Sequence, residues 1–284
     1  MRRTKLKINT DLRSEPINKM LVLGESTAWG YSVSDISKCW VNRLASMLQE
    51  YQEQEIEVIN QGIGSNVLTP LCPAYEISAK PCAMERLEGD ALAYKPDLLI
   101  LAYGLNDSRG GTPVEVFRAE YQKIIDRIRD VYDPLIVIVN VFRMHEYMYK
   151  NCMTDGWKES DYDVTEIYNL AIKQFCEKNK LILADVYTSQ EGVDWFIDED
   201  HAHPNDLGHM IIANKVFEAI ARNASFVANK MPKETLILDF MEKYGNGPQL
   251  PSIHEPTSDA VFQEVVMKFR EEKKRKERQK EMEG

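Results

Sequence analysis

The chain has 284 residues and a formal net charge of −10, with 44% hydrophobic and 28% charged residues. A domain of this size can bury about 70–75% of the surface of its unfolded chain, so it can fold without a disulfide or metal. The composition is that of a globular protein, which excludes a wholly disordered chain. The acidic balance disfavours nucleic acid and anionic membranes as partners, because both repel negative charge.

The five cysteines are scattered, and no pair has a C-x-x-C spacing. Cys72 and Cys82 lie in one proline-rich loop and could form a disulfide, but reduced thiols in a cytoplasmic protein are the favoured interpretation. Residues 1–16 are basic and lack the apolar core of a secretory signal. No apolar run approaches the ~20 residues of a membrane span. We therefore expect a cytoplasmic protein, unless a signal has been removed.

Short apolar runs alternate with segments of helical periodicity through the first three quarters of the chain. The runs predict strands at Met20–Leu23, Ile56–Asn60, Asp97–Tyr103, Leu135–Val141 and Leu181–Val186, which without polar alternation should be buried on both faces. The periodic segments predict helices at about Lys38–Tyr51, Ala83–Tyr94, Val114–Val131, Thr165–Lys178 and Asp206–Ala221. This alternation predicts an α/β fold with a parallel sheet, in which reactive groups gather at the carboxyl ends of the strands.

The pattern changes near residue 229 and predicts three parts: an N-terminal extension (1–19), the main domain (20–229) and a C-terminal extension (230–284). Within the last part, residues 260–269 carry an apolar helical stripe that could pack on the domain or on a second copy of the chain. Residues 270–283 are almost entirely charged and predict a solvated helix, with a partner-binding arm as the alternative.

The first candidate site lies where the predicted strand at Leu21 runs into Gly24-Glu25-Ser26. Gly24 permits a sharp turn, which would place Ser26 among the unpaired N–H groups that start the next helical stretch. Such N–H groups can stabilise an oxyanion, so the position suits a nucleophile. Taken alone, the segment is better explained by Ser26 as a helix cap.

The second candidate site follows another apolar strand at Gly104-Leu105-Asn106-Asp107. The neutral amide of Asn106 could donate a hydrogen bond to an oxyanion without titrating itself. Asn and Asp also favour ordinary turns, so this signal too is weak by itself.

The third candidate site is Asp200-His201-Ala202-His203-Pro204, just before the last predicted helix. His203 can act as a base, and Asp200 can hold its imidazole in one tautomer. A metal site at His201, His203 and His209 with nearby carboxylates is an alternative, although no HExxH-like spacing occurs, and a loop without a role is another. The conjunction favours catalysis, because a parallel sheet would bring all three sites to one edge.

The residues Met20 to Ala221 resemble the SGNH (or GDSL-type) hydrolases. Three blocks carry the resemblance: Gly24-Glu25-Ser26, Tyr103-Gly104-Leu105-Asn106-Asp107 and Asp200-His201-Ala202-His203-Pro204. It implies a flavodoxin-like three-layer α/β/α sandwich with a five-stranded parallel sheet. It also implies a triad of Ser26, His203 and Asp200, with Asn106 and the N–H of Ser26 in the oxyanion hole.

The sequence departs from the family pattern at two places. Glu25 stands where the family commonly has Asp before the serine. In Asn60-Gln61-Gly62-Ile63-Gly64-Ser65-Asn66, the family's oxyanion glycine falls on Ser65, with Gly64 one residue earlier. The second backbone donor is therefore expected from Ser65, with Gly64 as the alternative.

The resemblance implies a serine esterase for small acyl esters, acetyl esters first, including acylated carbohydrates, with no metal or cofactor. An acyltransferase, a thioesterase or a lysophospholipase on the same site remains open, as does a non-catalytic binding module. Glu25, Trp29, Tyr103 and Arg109 are candidate substrate contacts, and Tyr31 and Trp195 could add aromatic surface. Ordinary packing is the alternative for the aromatic residues, and a solvated arginine or a surface ion pair is the alternative for Arg109.

Overall fold

The structure, a computed structural model, describes residues 11–152, 155–190 and 194–228. The expectations for residues 1–10 and for the C-terminal extension, including its apolar stripe and its charged helix, lie outside the described residues.

Five parallel strands form one sheet in the order β2-β1-β3-β4-β5. They are β1 (Lys19–Gly24), β2 (Glu57–Gly62), β3 (Leu98–Ala102), β4 (Leu135–Val139) and β5 (Ile182–Ala184). The predicted α/β fold is confirmed. One expectation is wrong: β2 lies at an edge of the sheet, so its residues are partly or fully exposed rather than buried on both faces.

Helices cover both faces of the sheet. They are α1 (Ser26–Trp29), α2 (Trp40–Gln49), α3 (Ala83–Asp90), α4 (Leu105–Arg109), α5 (Val114–Val131), α6 (Glu146–Asn151), α7 (Tyr162–Asn179), α8 (Asp206–Ala221) and α9 (Ser225–Ala228). Helices α2 and α8 pack together on one face, whereas α3, α5 and α7 lie on the other. No helix in the described ranges is long and apolar enough to cross a bilayer.

The core includes β1, β3 and β4 together with Ile17, a residue that the sequence placed in the N-terminal extension. The buried side chain of Gln52 binds both the N–H and the C=O of Ile17, at 2.9 and 2.6 Å. All five cysteines are free, and Cys72 and Cys82 are buried without a disulfide.

The register of the sheet decides where the candidate residues meet. Gly24 at the end of β1 pairs with Gly62 of β2 and with Ala102 of β3. These three strands therefore end level with one another, and the loops that follow them emerge at one edge.

Candidate active site

A chain of hydrogen bonds joins three of the residues that the sequence singled out. The hydroxyl oxygen of Ser26 lies 2.9 Å from Nε2 of His203, and Nδ1 of His203 lies 2.5 Å from Oδ2 of Asp200. Ser26 begins α1, whereas Asp200 and His203 lie just before α8, and His203 is 177 positions after Ser26 in the chain. The imidazole thus stands between a hydroxyl that it can deprotonate and a carboxylate that fixes its orientation.

Asp200 is held by its own loop as well as by the imidazole. Its Oδ1 accepts hydrogen bonds from the N–H groups of Ala202 and His203, both at 2.9 Å. Burial alone would raise the pKa of Asp200, but the His203 ring and these two N–H groups outweigh it and bring the pKa to about 2. Asp200 is therefore ionised at neutral pH, as a partner for an imidazolium must be.

Two glycines allow α1 to sit directly on the strand ends. A Cβ on Gly62 would lie 2.2 Å from the backbone N of Trp29, and one on Gly24 would lie 2.7 Å from Cβ of Ala28. Because α1 begins right after β1, the N–H of Ser26 has no intrahelical acceptor. Within the described ranges this N–H donates to no other protein group either.

Asn106 lies in the first turn of α4, just after β3. Gly104 before it has φ +133°, and a Cβ there would lie 2.8 Å from Cγ2 of Val141, so only glycine fits this turn. Nδ2 of Asn106 donates to the carbonyl of Asn66 at 3.0 Å. An amide NH₂ carries two donors. The second one binds no acceptor in the described part of the chain.

Ser65 and Gly64 follow β2 and differ in conformation. Ser65 has φ +55°, the left-handed region that favours glycine, and its carbonyl accepts the N–H of Ala79 at 3.0 Å. Gly64 has open space where a Cβ would stand. Neither N–H donates to an acceptor among the described residues. The choice between them as second oxyanion donor stays a prediction.

Glu25 supports this edge from beneath instead of facing a substrate, which corrects its assignment as a substrate contact. It is only 4% exposed, and its carboxylate accepts the N–H groups of Gly104 at 2.9 Å and Asn106 at 3.3 Å. Burial raises the pKa of Glu25 to about 8, and the neighbouring Asp107 adds to this. The side chain thereby joins the loop after β1 to the loop after β3.

Asp107 is a supporting residue that sequence reasoning did not select. It is fully buried, and the N–H of Leu68 donates to its two oxygens at 3.1 and 3.0 Å. Burial raises the pKa of Asp107 to about 7. Together with Glu25 it ties the loops after β1, β2 and β3 to one another. Its place beside Asn106, directly after an apolar strand, was the signal that could have identified it.

Tyr103 is also a supporting residue and not a substrate contact. It is 2% exposed, and its hydroxyl accepts from Arg86 and donates to Oδ1 of Asn66, both at 2.7 Å. It thus fixes Asn66, whose carbonyl in turn holds Asn106. Tyr103 directly follows the apolar strand β3, and its burial there is ordinary packing.

Arg109 and Trp29 differ in their surroundings. The guanidinium of Arg109 lies over the ring of Trp157, 5.9 Å from its centroid, and its Nη2 contacts Sγ of Cys152 at 3.5 Å. Arg109 is half-buried, so the alternative of a solvated arginine does not hold. Trp29 is 56% exposed on α1, three residues after Ser26, and Trp195 is 61% exposed.

In the alternative metal site, one of the three histidines is not available as a ligand, because both of its ring nitrogens are hydrogen-bonded. His209 is buried, its Nδ1 accepts from the N–H of Trp40 at 3.2 Å, and its Nε2 donates to the carbonyl of Tyr31 at 3.1 Å. Burial lowers the pKa of His209 to about 4, so the ring is neutral at physiological pH. Among the described residues, no group of three or more His, Cys, Asp or Glu could hold a metal ion.

Ser26, His203 and Asp200 are thus hydrogen-bonded to one another at the carboxyl edge of a parallel sheet, an arrangement that resembles the one in serine hydrolases of α/β fold. The model of the GDSL-like lipase/acylhydrolase family matches residues 22–211. The chain belongs to this family and is a carboxylic ester hydrolase.

Known proteins from several bacteria are similar to the chain. An arylesterase of Vibrio mimicus is 27% identical over 212 residues, which cover 74% of this chain and 92% of that protein. The acetylxylan esterase Axe2 of Geobacillus stearothermophilus is 19% identical, with a TM-score of 0.55, over 74% of this chain and 96% of that one. A putative lipolytic protein of the G-D-S-L family from Desulfitobacterium hafniense is 15% identical, with a TM-score of 0.53, over 71% of this chain and 99% of that one. The structural likeness confirms the predicted fold.

Proposed function

We propose that the protein is a serine esterase that hydrolyses small acyl esters, acetyl esters first, through a covalent acyl-enzyme on Ser26. The observation that carries the proposal is the contact of 2.9 Å between the Ser26 hydroxyl and Nε2 of His203, with the opposite ring nitrogen bonded to Asp200. A serine is a poor nucleophile unless a base takes its proton, and this geometry supplies the base.

In the first half of the reaction, His203 Nε2 accepts the proton of Ser26 while Oγ attacks the ester carbonyl carbon. The imidazolium that forms is stabilised by the ionised Asp200. When the tetrahedral intermediate collapses, the bond from carbon to the leaving oxygen breaks and Nε2 returns the proton to that oxygen. The products of this half are the free alcohol and an acyl group on Ser26.

In the second half, water takes the place of the alcohol. His203 removes a proton from water, the hydroxide attacks the acyl carbon, and the proton then passes to Oγ as the carboxylic acid leaves. The negative oxygen of both intermediates is stabilised by three donors: the N–H of Ser26, the free amide hydrogen of Asn106 and the N–H of Ser65 or Gly64. Each of these donors is left without a protein acceptor in the described ranges, as an oxyanion hole requires.

Similarity supports the substrate class. The relative from Vibrio mimicus is named an arylesterase and the structural neighbour Axe2 an acetylxylan esterase, so both act on esters. No step of the mechanism needs a metal ion or an organic cofactor. The side chains of Ser26 and His203 supply the nucleophile and the base, and backbone N–H groups together with the Asn106 amide supply the oxyanion donors.

The test compares the full chain with its Ser26→Ala variant on a nitrophenyl acetate at neutral pH. We expect enzyme-dependent release of nitrophenol from the parent and its loss in the variant, by several orders of magnitude. A fluorophosphonate probe should label the parent at Ser26, as located by peptide mass analysis. If the parent neither releases nitrophenol nor reacts with the probe, the proposal is wrong and a binding module on the same fold takes its place.

A further inference from the structure

The mechanism fixes the side of the site on which the leaving alcohol lies, and the next step rests on the proposed function. His203 Nε2 returns the proton to the leaving oxygen, so this oxygen must come within hydrogen-bond reach of the imidazole. The alcohol part of any substrate therefore lies against the residues that surround His203. The acyl part extends from the same carbon in another direction.

An exposed aromatic pair adjoins the imidazole. The ring of Tyr31 lies 4.2 Å from that of His203 between centroids, tilted by 41°, and Tyr31 keeps 44% of its surface exposed. The ring of Trp29 lies 6.1 Å from that of Tyr31, and Trp29 is 56% exposed. The N–H of Tyr31 donates to the carbonyl of Ser26 at 3.1 Å, so the pair is attached to the nucleophile itself.

The position of Tyr31 is enforced by α8, at the far end of the domain sequence. Nε2 of His209 donates to the carbonyl of Tyr31, and Nδ1 of the same ring accepts the N–H of Trp40. His209 is fully buried and neutral, so it holds the backbone of Tyr31 over the whole physiological pH range.

A second anchor fixes the same loop. Asp206 accepts from the N–H of Ser34 at 2.9 Å, from its hydroxyl at 2.6 Å and from Nζ of Lys38 at 2.7 Å. Lys38 and Ser34 hold the pKa of Asp206 well below its usual range, so the anchor is charged. Because Asp206 and His209 are three residues apart, they lie on one face of α8 and hold the loop at two points. An exposed tyrosine held in this way is a preformed surface.

We propose that Tyr31 and Trp29 form the leaving-group subsite and select esters whose alcohol carries a ring. Aromatic side chains bind flat apolar surfaces well, and either an aryl ring or the C–H face of a sugar ring offers one. A short branched or linear alkyl alcohol covers less of the two rings and gains less from them. Tyr31 and Trp29 are specificity residues, whereas Ser26 and His203 carry out the chemistry.

The test varies the leaving group and keeps the acyl group constant. Phenyl acetate is compared with a fluorinated alkyl acetate whose alcohol has similar acidity, and a methyl glycoside monoacetate with a methoxyalkyl acetate. The variants are Tyr31→Leu, Trp29→Leu and Tyr31→Phe, each checked for folding by circular dichroism. For Tyr31→Leu we expect the ratio of kcat/KM between ring and alkyl esters to fall about tenfold in at least one pair. Tyr31→Phe should restore that ratio, because it keeps the ring.

The two pairs distinguish the sources of the ring: a fall in the phenyl pair identifies an aryl alcohol, and a fall in the glycoside pair identifies a sugar. Equal loss on ring and alkyl esters in both pairs, together with a shifted pH profile, would mean that Tyr31 only orients His203, and would overturn the subsite. A parent that hydrolyses none of the four esters and is not labelled by the fluorophosphonate overturns the proposed function itself. The two failures can be distinguished, because failure of the subsite leaves the parent active, whereas failure of the proposed function leaves it inactive.

Discussion

Carboxyl groups occur in two regions of the site, and their pKa values shift in opposite directions in the two regions. Asp200 lies in the upper region, the half-exposed loop before α8, where its pKa falls to about 2. Glu25 and Asp107 lie in the lower region, the buried layer beneath the strand ends, where their pKa values rise to about 8 and about 7. All three accept hydrogen bonds from backbone N–H groups, so hydrogen bonding alone does not explain the difference.

The difference comes from burial and from the charge of the partner. Asp200 faces a histidine that can become positive, and it keeps contact with water. Glu25 is 4% exposed and has another carboxyl as its neighbour, so its charged form loses solvation and meets repulsion. The upper region is thus built to keep a charge that helps chemistry. The lower region uses carboxyl groups as acceptors that hold backbone in place.

The largest expected effect tests the upper region. Asp200→Asn keeps the size of the side chain but removes the charge that stabilises the imidazolium, so we expect kcat to fall by about 10⁴. Ester hydrolysis is the measurement, with circular dichroism to verify the fold. Asp198→Asn in the same loop is the matched control. A parental kcat in folded Asp200→Asn would show that the hydrogen bond to His203 has no catalytic role.

An intermediate effect is expected where the two regions meet. The amide of Asn106 donates one hydrogen to the carbonyl of Asn66, and its backbone N–H donates to Glu25. Asn106→Ala removes only the amide, so we expect kcat to fall by about 10²–10³. The measurement is kcat on the same ester. If Asn106→Ala folds and loses less than about threefold, the amide is not an oxyanion donor.

The smallest effect concerns the stability of the lower region. The pKa of Glu25 lies above its ordinary value of about 4.3, so its contribution to stability is complete below about pH 4 and is lost as the pH rises through about 8. Glu25→Gln cannot titrate, so its free energy of unfolding should fall less than that of the parent between about pH 5 and about pH 9. Urea denaturation at a series of pH values measures how the free energy of unfolding changes with pH in the parent and in the variant.

Asp107→Asn provides a matched comparison for that experiment. In Asp107→Asn the free energy of unfolding should again fall less with pH than in the parent, but over a lower pH range that ends near pH 7. The range is lower because the raised pKa of Asp107 is about 7, whereas that of Glu25 is about 8. Parallel stability curves for the parent and Glu25→Gln would show that Glu25 is ionised throughout, and the contrast between the two regions would fail.

Helical periodicity recovered the longer elements. Both α5 and α8 have the predicted bounds, because each spans more than four turns and begins at a turn signal, Pro113 or the capping Asn205. Helices α1 and α4 have only four and five residues, too few for a period to show. These short helices present Ser26 and Asn106. The turn at Gly24 predicted a helical stretch that starts at Ser26, whereas no helix was predicted at Asn106.

The sequence by itself determined the alternation of strands and helices and the three loops that carry Ser26, Asn106 and Asp200 with His203. These signals are local, since a strand end, a turn residue and a three-residue spacing can be recognised within a few positions. Only the tertiary structure decided that β2 is an edge strand, that Glu25 and Tyr103 lie beneath the site, and that His209 holds Tyr31. Tyr31 and His209 are 178 residues apart, and their contact depends on how α8 packs beside α2. Burial and long-range pairing are properties of the packed chain, so no local pattern encodes them.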